Sequence, residues 1–265
     1  MTHNRMPIIA AIPNYNMAHG LARLLPMLVT QGYDAIYVLD DASTDDSRSV
    51  VARHSSVQWV SSKKNTGSGG ALNMILNHIN EPTIIHFLDA DVMPNGDDFP
   101  QKIRALELSD NIGFIGGLVI DESGQQSIWN YGPQLTIGNG IKTLGYMLLC
   151  ALPSRLSRGM LSRLTSRPRG KMPVHPYWVI EANFIVTSET LKKYGAFDEN
   201  IREHDIQPLA ARVSKAGLTN GFIDSISVTQ HNDMTVRNYN RLFALYRSEW
   251  YVARHYIGWR YLSLL

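Results

Sequence analysis

The chain has 265 residues, 44% of them hydrophobic, and a formal net charge of +2, which is enough apolar material for one large or two small globular domains. Its single cysteine, Cys150, excludes an internal disulfide and fits a reducing compartment. The longest largely apolar stretch, residues 144–152, is too short to cross a bilayer, and the N-terminus lacks the apolar run of a secretion signal, so we expect a cytoplasmic protein that is soluble or peripheral at the inner face of a membrane.

The first 120 residues alternate between strand and helix signals. Apolar runs typical of buried strands occur at 7–13, 35–40, 57–61, 83–89 and 112–120, and helical patterns occur at 17–31, 45–54, 69–79 and 98–109. Repeated βα units of this length predict a mainly parallel central sheet that is flanked by helices. Ligands of such sheets bind at the carboxyl ends of the strands, so residues at those ends are the candidates for a site.

The second half of the chain, residues 121–235, is less regular. A β-like stretch at 177–187, a helix at 205–216 and a strand at 221–231 are predicted there, and a long aromatic helix follows at 236–256. We expect one compact domain with three parts: residues 1–120, residues 121–235 and a C-terminal aromatic helix within 236–265.

The segment 142–171 is strongly basic. No Asp or Glu occurs between Glu122 and Glu181, whereas seven Lys or Arg residues fall in that interval. The segment is predicted either to dock on an anionic membrane surface or to be a solvated insertion or an oligomer contact. Nucleic acid is a poorer partner, because the rest of the chain is net acidic and carries no recognised nucleic-acid module.

Four predicted strands end in polar motifs. These are IPNYN (12–16), VLDDASTDDS (38–47), KKNTGSGGALN (63–73) and FLDADVMP (87–94). In the last of them, Asp89 and Asp91 stand where a buried strand reaches the surface. Placing charged carboxylates there costs free energy unless a positive charge neutralises them. Divalent cations such as Mg²⁺ and Mn²⁺ prefer oxygen ligands of this kind, although a solvated turn explains the spacing of the two aspartates equally well.

In this order and spacing, the motifs resemble the nucleotide-sugar-binding half of a family 2 glycosyltransferase with the GT-A fold. The resemblance continues in GAFDENIREHDIQPLAARVSKAG (195–217) and VTQHNDMT (228–235), and it makes 1–120 the donor half and 121–235 the acceptor side. It implies that donor-binding positions are Pro13, Tyr15, Asp40, Lys63, Asn65, Gly67 and Asp89. It also implies a site for Mn²⁺ or Mg²⁺ formed by Asp91, Asp89 and His231, although a strand-end histidine bonded to backbone is the alternative for His231.

The catalytic base that the resemblance implies is Asp205 or Glu203, since His204 splits the usual adjacent acidic pair. Asp205 is favoured because it stands where the helix begins, and N-capping of that helix is its structural alternative. Trp178 and Glu181 lie in the stretch where relatives line the acceptor site, and a buried ion pair is the alternative for Glu181.

The function implied is an inverting glycosyltransferase that moves a sugar from a nucleotide-sugar donor, with UDP suggested by the acid at Asp40, to a hydroxyl of a glycan or lipid-linked acceptor. Cell-surface polysaccharide or glycolipid assembly would suit such an enzyme, and the basic segment would suit a lipid-linked acceptor. The alternatives are a sugar-nucleotide nucleotidylyltransferase, which the absence of a long glycine-rich loop after the first strand disfavours, and a non-catalytic module that binds nucleotide sugars.

Overall fold

A computed structural model describes residues 6–106, 108–127, 130–132, 175–201, 205–231, 247–248 and 250–257. The basic segment 142–171 and most of the aromatic helix expected at 236–256 therefore lie outside the described residues. In these ranges no helix has the length and apolar content needed to cross a membrane.

In the described part of the chain, eight strands form one sheet: β1 Ile8–Asn14, β2 Ala35–Asp40, β3 Val57–Ser61, β4 Ile84–Leu88, β5 Val92–Pro94, β6 Ile112–Ile120, β9 Asn183–Thr187 and β10 Thr219–Gln230. Their order across the sheet is β3-β2-β1-β4-β9-β6-β10-β5. A separate two-stranded sheet pairs β7 (Tyr131–Gly132) with β8 (Trp178–Val179).

The sheet is mainly parallel, as the repeated βα units predict. β1 pairs in parallel with β2 and β4, β2 with β3, and β6 with β10. β9 runs antiparallel to both of its neighbours, β4 and β6, so those two strands share a direction. The β-like stretch at 177–187 is split into β8 and β9, and Glu181 lies in the turn between them.

The helices are α1 Ala18–Leu28, α2 Ser47–Val51, α3 Ser68–Asn73, α4 Phe99–Arg104, α5 Ser188–Tyr194 and α6 Ile206–Lys215. α1 buries the leucine face that its periodicity predicts, namely Leu21, Leu24, Leu25 and Leu28. The helix expected at 69–79 is instead α3 followed by a 3-10 helix, Met74–Asn77. α5 was not predicted, although Thr187 caps it by accepting a hydrogen bond from the Thr190 amide at 3.1 Å.

The core lies on both faces of the sheet. Side chains of β1 alternate between two hydrophobic clusters: Ile8 and Ile12 pack in one with α1 and α4, and Ile9 packs in the other with α5 and α6. This alternation follows from the two-residue period of a strand. The layered arrangement holds the carboxyl ends of the parallel strands in place at one edge.

Residues 250–257 pack against α6 and against Asp198 in the segment before it. The π-helix Ala253–Ile257 contacts α6, and the Arg212 guanidinium lies 5.4 Å from the centre of the Tyr256 ring. The Tyr256 hydroxyl also donates to Asp198 at 2.5 Å. These contacts tie the C-terminal residues to the loop that precedes α6.

Candidate active site

Polar residues gather where the parallel strands end. Asn14 and Asp40 are paired in register at the ends of β1 and β2. Asp89 directly follows β4, and His231 directly follows β10. Since these strands run in one direction, their terminal residues meet at the edge of the sheet where open α/β proteins bind ligands.

Asp40 is buried, at 3% exposure, and both of its carboxylate oxygens accept hydrogen bonds. One accepts from the Asn14 amide at 2.8 Å and the other from the Ser43 backbone N–H at 3.1 Å. The Ser43 hydroxyl also accepts from Asn14 at 3.0 Å and from the Asn16 backbone at 2.8 Å. The Asp40 carboxylate therefore connects the ends of β1 and β2. A nucleotide base that contacted Asp40 would bind a carboxylate that already accepts these two hydrogen bonds.

The other expected donor-binding side chains are more accessible. Tyr15 is 50% exposed, Lys63 and Asn65 are exposed, and Pro13 is half-buried. An exposed aromatic ring beside a strand end can stack on a planar base. The structure therefore leaves these positions open to a ligand, whereas Asp40 belongs to the framework beneath them.

Asp41, to which the sequence assigned no function, organises the loop that precedes α3. Its carboxylate accepts hydrogen bonds from the backbone N–H groups of Thr66, at 2.8 and 2.9 Å, and of Gly67, at 2.8 Å. It also accepts from the hydroxyls of Thr66 at 2.8 Å and Ser62 at 3.2 Å. The backbone of this loop is therefore bound to protein, and Asp41 fixes its position against β2.

The glycines of this loop are explained by packing. Gly67 has a positive φ of 85°, a conformation that other residues adopt with strain. A side chain at Gly70 would lie 2.2 Å from the Thr66 hydroxyl, and one at Gly69 would lie 3.0 Å from the Asp198 carbonyl. Backbone conformation and close packing are therefore sufficient to account for these three glycines.

The Asp89–Ala90–Asp91 turn rests on helix α1. A Cβ atom added to Gly20 would lie 2.3 Å from the Ala90 carbonyl oxygen, so only glycine lets α1 approach this closely. The Asp89 backbone N–H donates to the Ala182 carbonyl at 3.2 Å, which ties the turn to the start of β9. A glycine inside a helical pattern signals such close packing, and sequence reasoning missed it.

Asp91 and His231 are neighbours across the edge of the sheet. β5 pairs antiparallel with the end of β10, and the His231 backbone N–H donates to the Asp91 carbonyl at 3.2 Å. The Gln230 amide donates to the two Asp91 carboxylate oxygens at 3.4 and 3.3 Å. The structure thus makes two of the three expected metal-binding residues neighbours along the backbone, and it adds Gln230 as an unforeseen contact of Asp91.

The donor chemistry of these residues fits a divalent cation, although the described ranges contain no group of three or more His, Cys, Asp or Glu side chains arranged to hold one. Asp89 and Asp91 are half-buried, and each provides carboxylate oxygens. The His231 Nδ1 atom lies 2.7 Å from the Glu122 carboxylate, which is the kind of contact that orients metal-binding histidines.

Glu181 and Asp205 lie together at the start of α6. The Glu181 carboxylate accepts a hydrogen bond from the Ile206 backbone N–H at 3.3 Å, whereas Asp205, the N-cap residue, makes no side-chain capping bond. The side chain that accepts a hydrogen bond from the first N–H of α6 is therefore that of Glu181 and not that of Asp205. Burial raises the pKa of the Glu181 carboxyl to about 8, and the negative charges of Asp205 and Asp89 act in the same direction.

The remaining site residues expected from the sequence are Asp205, Glu203 and Trp178. Asp205 is 3% exposed, and Glu203 lies outside the described residues. Trp178 is half-buried in β8 and lies against Gly132, where a Cβ atom would be 2.2 Å from the indole ring. Glu181 lies close enough to Asp205 and to Asp89 to interact with both electrostatically, and Trp178 belongs to the small two-stranded sheet.

Solved structures resemble this chain in fold. The mannosyltransferase PcManGT from Pyrobaculum calidifontis, in complex with GDP-Man and Mn²⁺, is 17% identical, with 96% of this chain and 66% of that chain covered and a TM-score of 0.62. Glucosyl-3-phosphoglycerate synthase from Mycobacterium tuberculosis, in complex with Mn²⁺, UDP and glucosyl-3-phosphoglycerate, is 18% identical, with 92% and 77% covered and a TM-score of 0.53. TarS 1-349 from S. aureus, in complex with UDP-GlcNAc, is 16% identical, with 87% and 60% covered and a TM-score of 0.55.

These likenesses confirm the expected GT-A fold, and the chain spans less than two thirds of the mannosyltransferase and TarS chains. No curated protein sequence matches the chain significantly. The family model described as "Glycosyl transferase family 2" matches residues 9–151, which is more than half of the chain. The chain therefore belongs to glycosyl transferase family 2.

Proposed function

We propose that the chain is an inverting glycosyltransferase that moves a sugar from a nucleotide-sugar donor, most simply a UDP-sugar, to a hydroxyl acceptor. The observation that carries this proposal is the grouping of acids at one sheet edge, where the backbones of Asp91 and His231 are hydrogen-bonded and Glu181 interacts electrostatically with Asp205 and Asp89. One side of the group suits a metal-bound diphosphate and the other suits proton removal from an acceptor.

Asp91, Asp89 and His231 would hold the divalent cation, Mn²⁺ or Mg²⁺. When bound there, the cation would neutralise negative charge on the leaving nucleoside diphosphate. Similar structures support this choice, since the mannosyltransferase was solved with GDP-Man and Mn²⁺ and the synthase with UDP and Mn²⁺. On the donor side, Tyr15 would stack on the base while Lys63 and Asn65 flank it, and Gly67 and Pro13 would shape the site around it.

Asp205 would remove the proton from the acceptor hydroxyl as that oxygen attacks the anomeric carbon and the diphosphate leaves from the opposite face. Glu181 holds the first N–H of α6 and stays largely protonated near neutral pH, so it adds little negative charge beside Asp205. Asp205 is preferred to Glu203 because it stands at the start of α6. Trp178 would line the acceptor side.

We propose further that the acceptor is a glycan or a lipid-linked sugar in cell-surface polysaccharide or glycolipid assembly at the cytoplasmic face of the membrane. The basic segment 142–171 supports this proposal by its charge, which suits an anionic membrane surface. Sedimentation with anionic and neutral vesicles tests the contact directly.

The function is tested with a panel of UDP- and GDP-sugars, with and without Mn²⁺, by thermal shift for binding and by nucleoside diphosphate release for turnover. One donor should raise the melting temperature in the presence of Mn²⁺, because a ligand that binds only the folded chain stabilises it. Asp91→Asn should lose the Mn²⁺-dependent shift, and Asp205→Asn should keep it while turnover falls by about 10²–10⁴.

Asp97→Asn, a change to an exposed carboxylate in the turn that follows β5, is the matched control and should behave as wild type. Full turnover by Asp205→Asn would assign the base to Glu203. Binding of no donor in the panel, or a full Mn²⁺-dependent shift in Asp91→Asn, would contradict the proposed site.

A further inference from the structure

We propose that Glu122 is a positioning residue that orients the imidazole ring of His231 toward a bound divalent cation. The inference rests on the proposed function, since it concerns the same metal site. The observation behind it is the juxtaposition of the Glu122 carboxylate and the His231 Nδ1 atom, which lie 2.7 Å apart although 109 residues separate them in the chain.

The chemistry of the contact determines which ring nitrogen carries a proton. A carboxylate can only accept a hydrogen bond, so Nδ1 of His231 must be the donor. In the neutral ring the lone pair then resides on Nε2, and this is the nitrogen that a cation can bind. Glu122 thereby selects one of the two tautomers before any metal arrives.

The topology of the sheet explains why the two side chains meet. β6 and β10 are parallel neighbours, and Ile120 is in register with Thr229, so the residues that follow these strands leave the sheet side by side. On the other side of β10, the antiparallel strand β5 brings Asp91 next to His231. Glu122, His231 and Asp91 therefore form a row across three adjacent strand ends.

The loop that carries Glu122 is held by its own hydrogen bonds. The Asp121 carboxylate accepts from the backbone N–H groups of Ser123 and Gln125, each at 2.9 Å, and Gly124 takes a positive φ of 77°. The Asp121 N–H in turn donates to the Gln125 carbonyl at 2.8 Å. This turn presents Glu122 from a defined backbone position.

A contribution to stability does not account for the contact. The Glu122 side chain is 68% exposed and that of His231 is 23% exposed, and pairs this open to solvent add little to folding stability. A carboxylate that orients a metal-binding histidine, in contrast, typically changes metal affinity by about 10–100-fold. A positioning function is therefore the stronger explanation for the geometry.

The test uses the full-length chain with Mn²⁺ alone as the probe. Mn²⁺ binding is measured by electron paramagnetic resonance for wild type, Glu122→Ala and Glu122→Gln. The His231 tautomer is measured on metal-free protein by long-range ¹H–¹⁵N correlation, with His231→Gln used to assign the signal. Glu122→Ala should weaken Mn²⁺ binding by about tenfold and lose the single Nδ1–H tautomer.

Glu122→Gln should retain more of both properties, since its amide oxygen still accepts from Nδ1. Asp224→Ala removes an exposed negative charge from β10 and should leave both properties unchanged. Wild-type affinity, or an unchanged tautomer, in Glu122→Ala would overturn the inference while leaving the metal site intact. Absence of Mn²⁺ binding by wild type would instead overturn the metal site on which the inference rests.

Discussion

Glu181 is a carboxyl group whose ionisation is opposed by its surroundings. Burial is the largest cause that raises its pKa from 4.5 to about 8, and the charges of Asp205 and Asp89 add to it. Its hydrogen bond from the Ile206 N–H acts in the other direction, because that donor favours the charged form. Near neutral pH the folded chain therefore carries a proton here that the unfolded chain has released.

The raised pKa of Glu181 predicts how the stability of the fold depends on pH. Between pH 4.5 and about 8 the native state binds more protons at Glu181 than the unfolded state does, so stability from this group falls as pH rises through that window. Glu181→Gln removes the ionisation and keeps an oxygen for the Ile206 N–H. Its melting temperature relative to wild type should therefore increase from about pH 5 to about pH 8.

Glu189→Gln, at an exposed position of α5, is the control and should show a constant difference across the same range. Melting curves followed by circular dichroism are sufficient. A Glu181→Gln difference that did not vary with pH would show that the carboxyl group ionises normally in the folded chain.

At the scale of the element, helix α1 and the aspartate turn depend on each other through Gly20. Helix propensity alone predicts that Gly20→Ala stabilises the chain by about 1 kcal/mol. The Cβ atom would however lie 2.3 Å from the backbone oxygen of Ala90, which is not the flexible end of a side chain. We therefore expect the substitution to destabilise the chain by about 1–3 kcal/mol, as overpacking does.

Urea unfolding measures this free energy, and Mn²⁺ affinity reports whether the turn has moved. Ala22→Gly, at an exposed position of the same helix, measures the propensity effect without the contact and should cost about 1 kcal/mol while Mn²⁺ binding is unchanged. If Gly20→Ala stabilised the chain as propensity predicts, α1 would have room to move away from Ala90.

At the scale of the whole molecule, the sequence predicted the parallel strands well because each is a continuous apolar run that ends in polar residues. It predicted less where the structure depends on pairing between distant segments. The antiparallel insertion of β9 and the contact between Glu122 and His231 both follow from strand order, which local periodicity does not encode. Glu122 is an acidic residue at the end of a predicted strand, as Asp89 is, so the sequence marked it as a candidate site residue. The sequence did not show that His231 is its partner.

A second whole-molecule feature is a buried polar network in the middle of the sheet. His86 of β4 is fully buried, and its Nε2 atom lies 2.8 Å from the Asn183 amide oxygen on β9. Asn183 also donates to the carbonyls of Leu118 on β6 and Ile226 on β10, each at 3.1 Å, and the Tyr33 hydroxyl lies 2.7 Å from the other His86 nitrogen. One amide and one imidazole thus connect four adjacent strands.

Burial lowers the pKa of His86 from 6.5 to about 4, partly opposed by its hydrogen bond with Asn183, and this predicts that the contribution of His86 to stability is lost in acid. Between these values the unfolded chain binds the proton and the native chain does not, so stability from this group is present above pH 6.5 and falls as the pH is lowered. From about pH 7 to about pH 5 the loss amounts to about 2 kcal/mol. His86→Gln should be less stable at neutral pH and should lack this decrement, as measured by urea unfolding at the two pH values.

His54→Gln, at a half-buried position between α2 and β3, is the matched control and should show the same change in unfolding free energy between the two pH values as wild type. The comparison between variants isolates His86, because Glu181 changes stability in the opposite direction over the same range and contributes equally to each chain. A His86→Gln chain whose stability changed with pH in parallel with wild type would show that the imidazole accepts its proton inside the folded sheet, and the network would then have to reorganise around a charge.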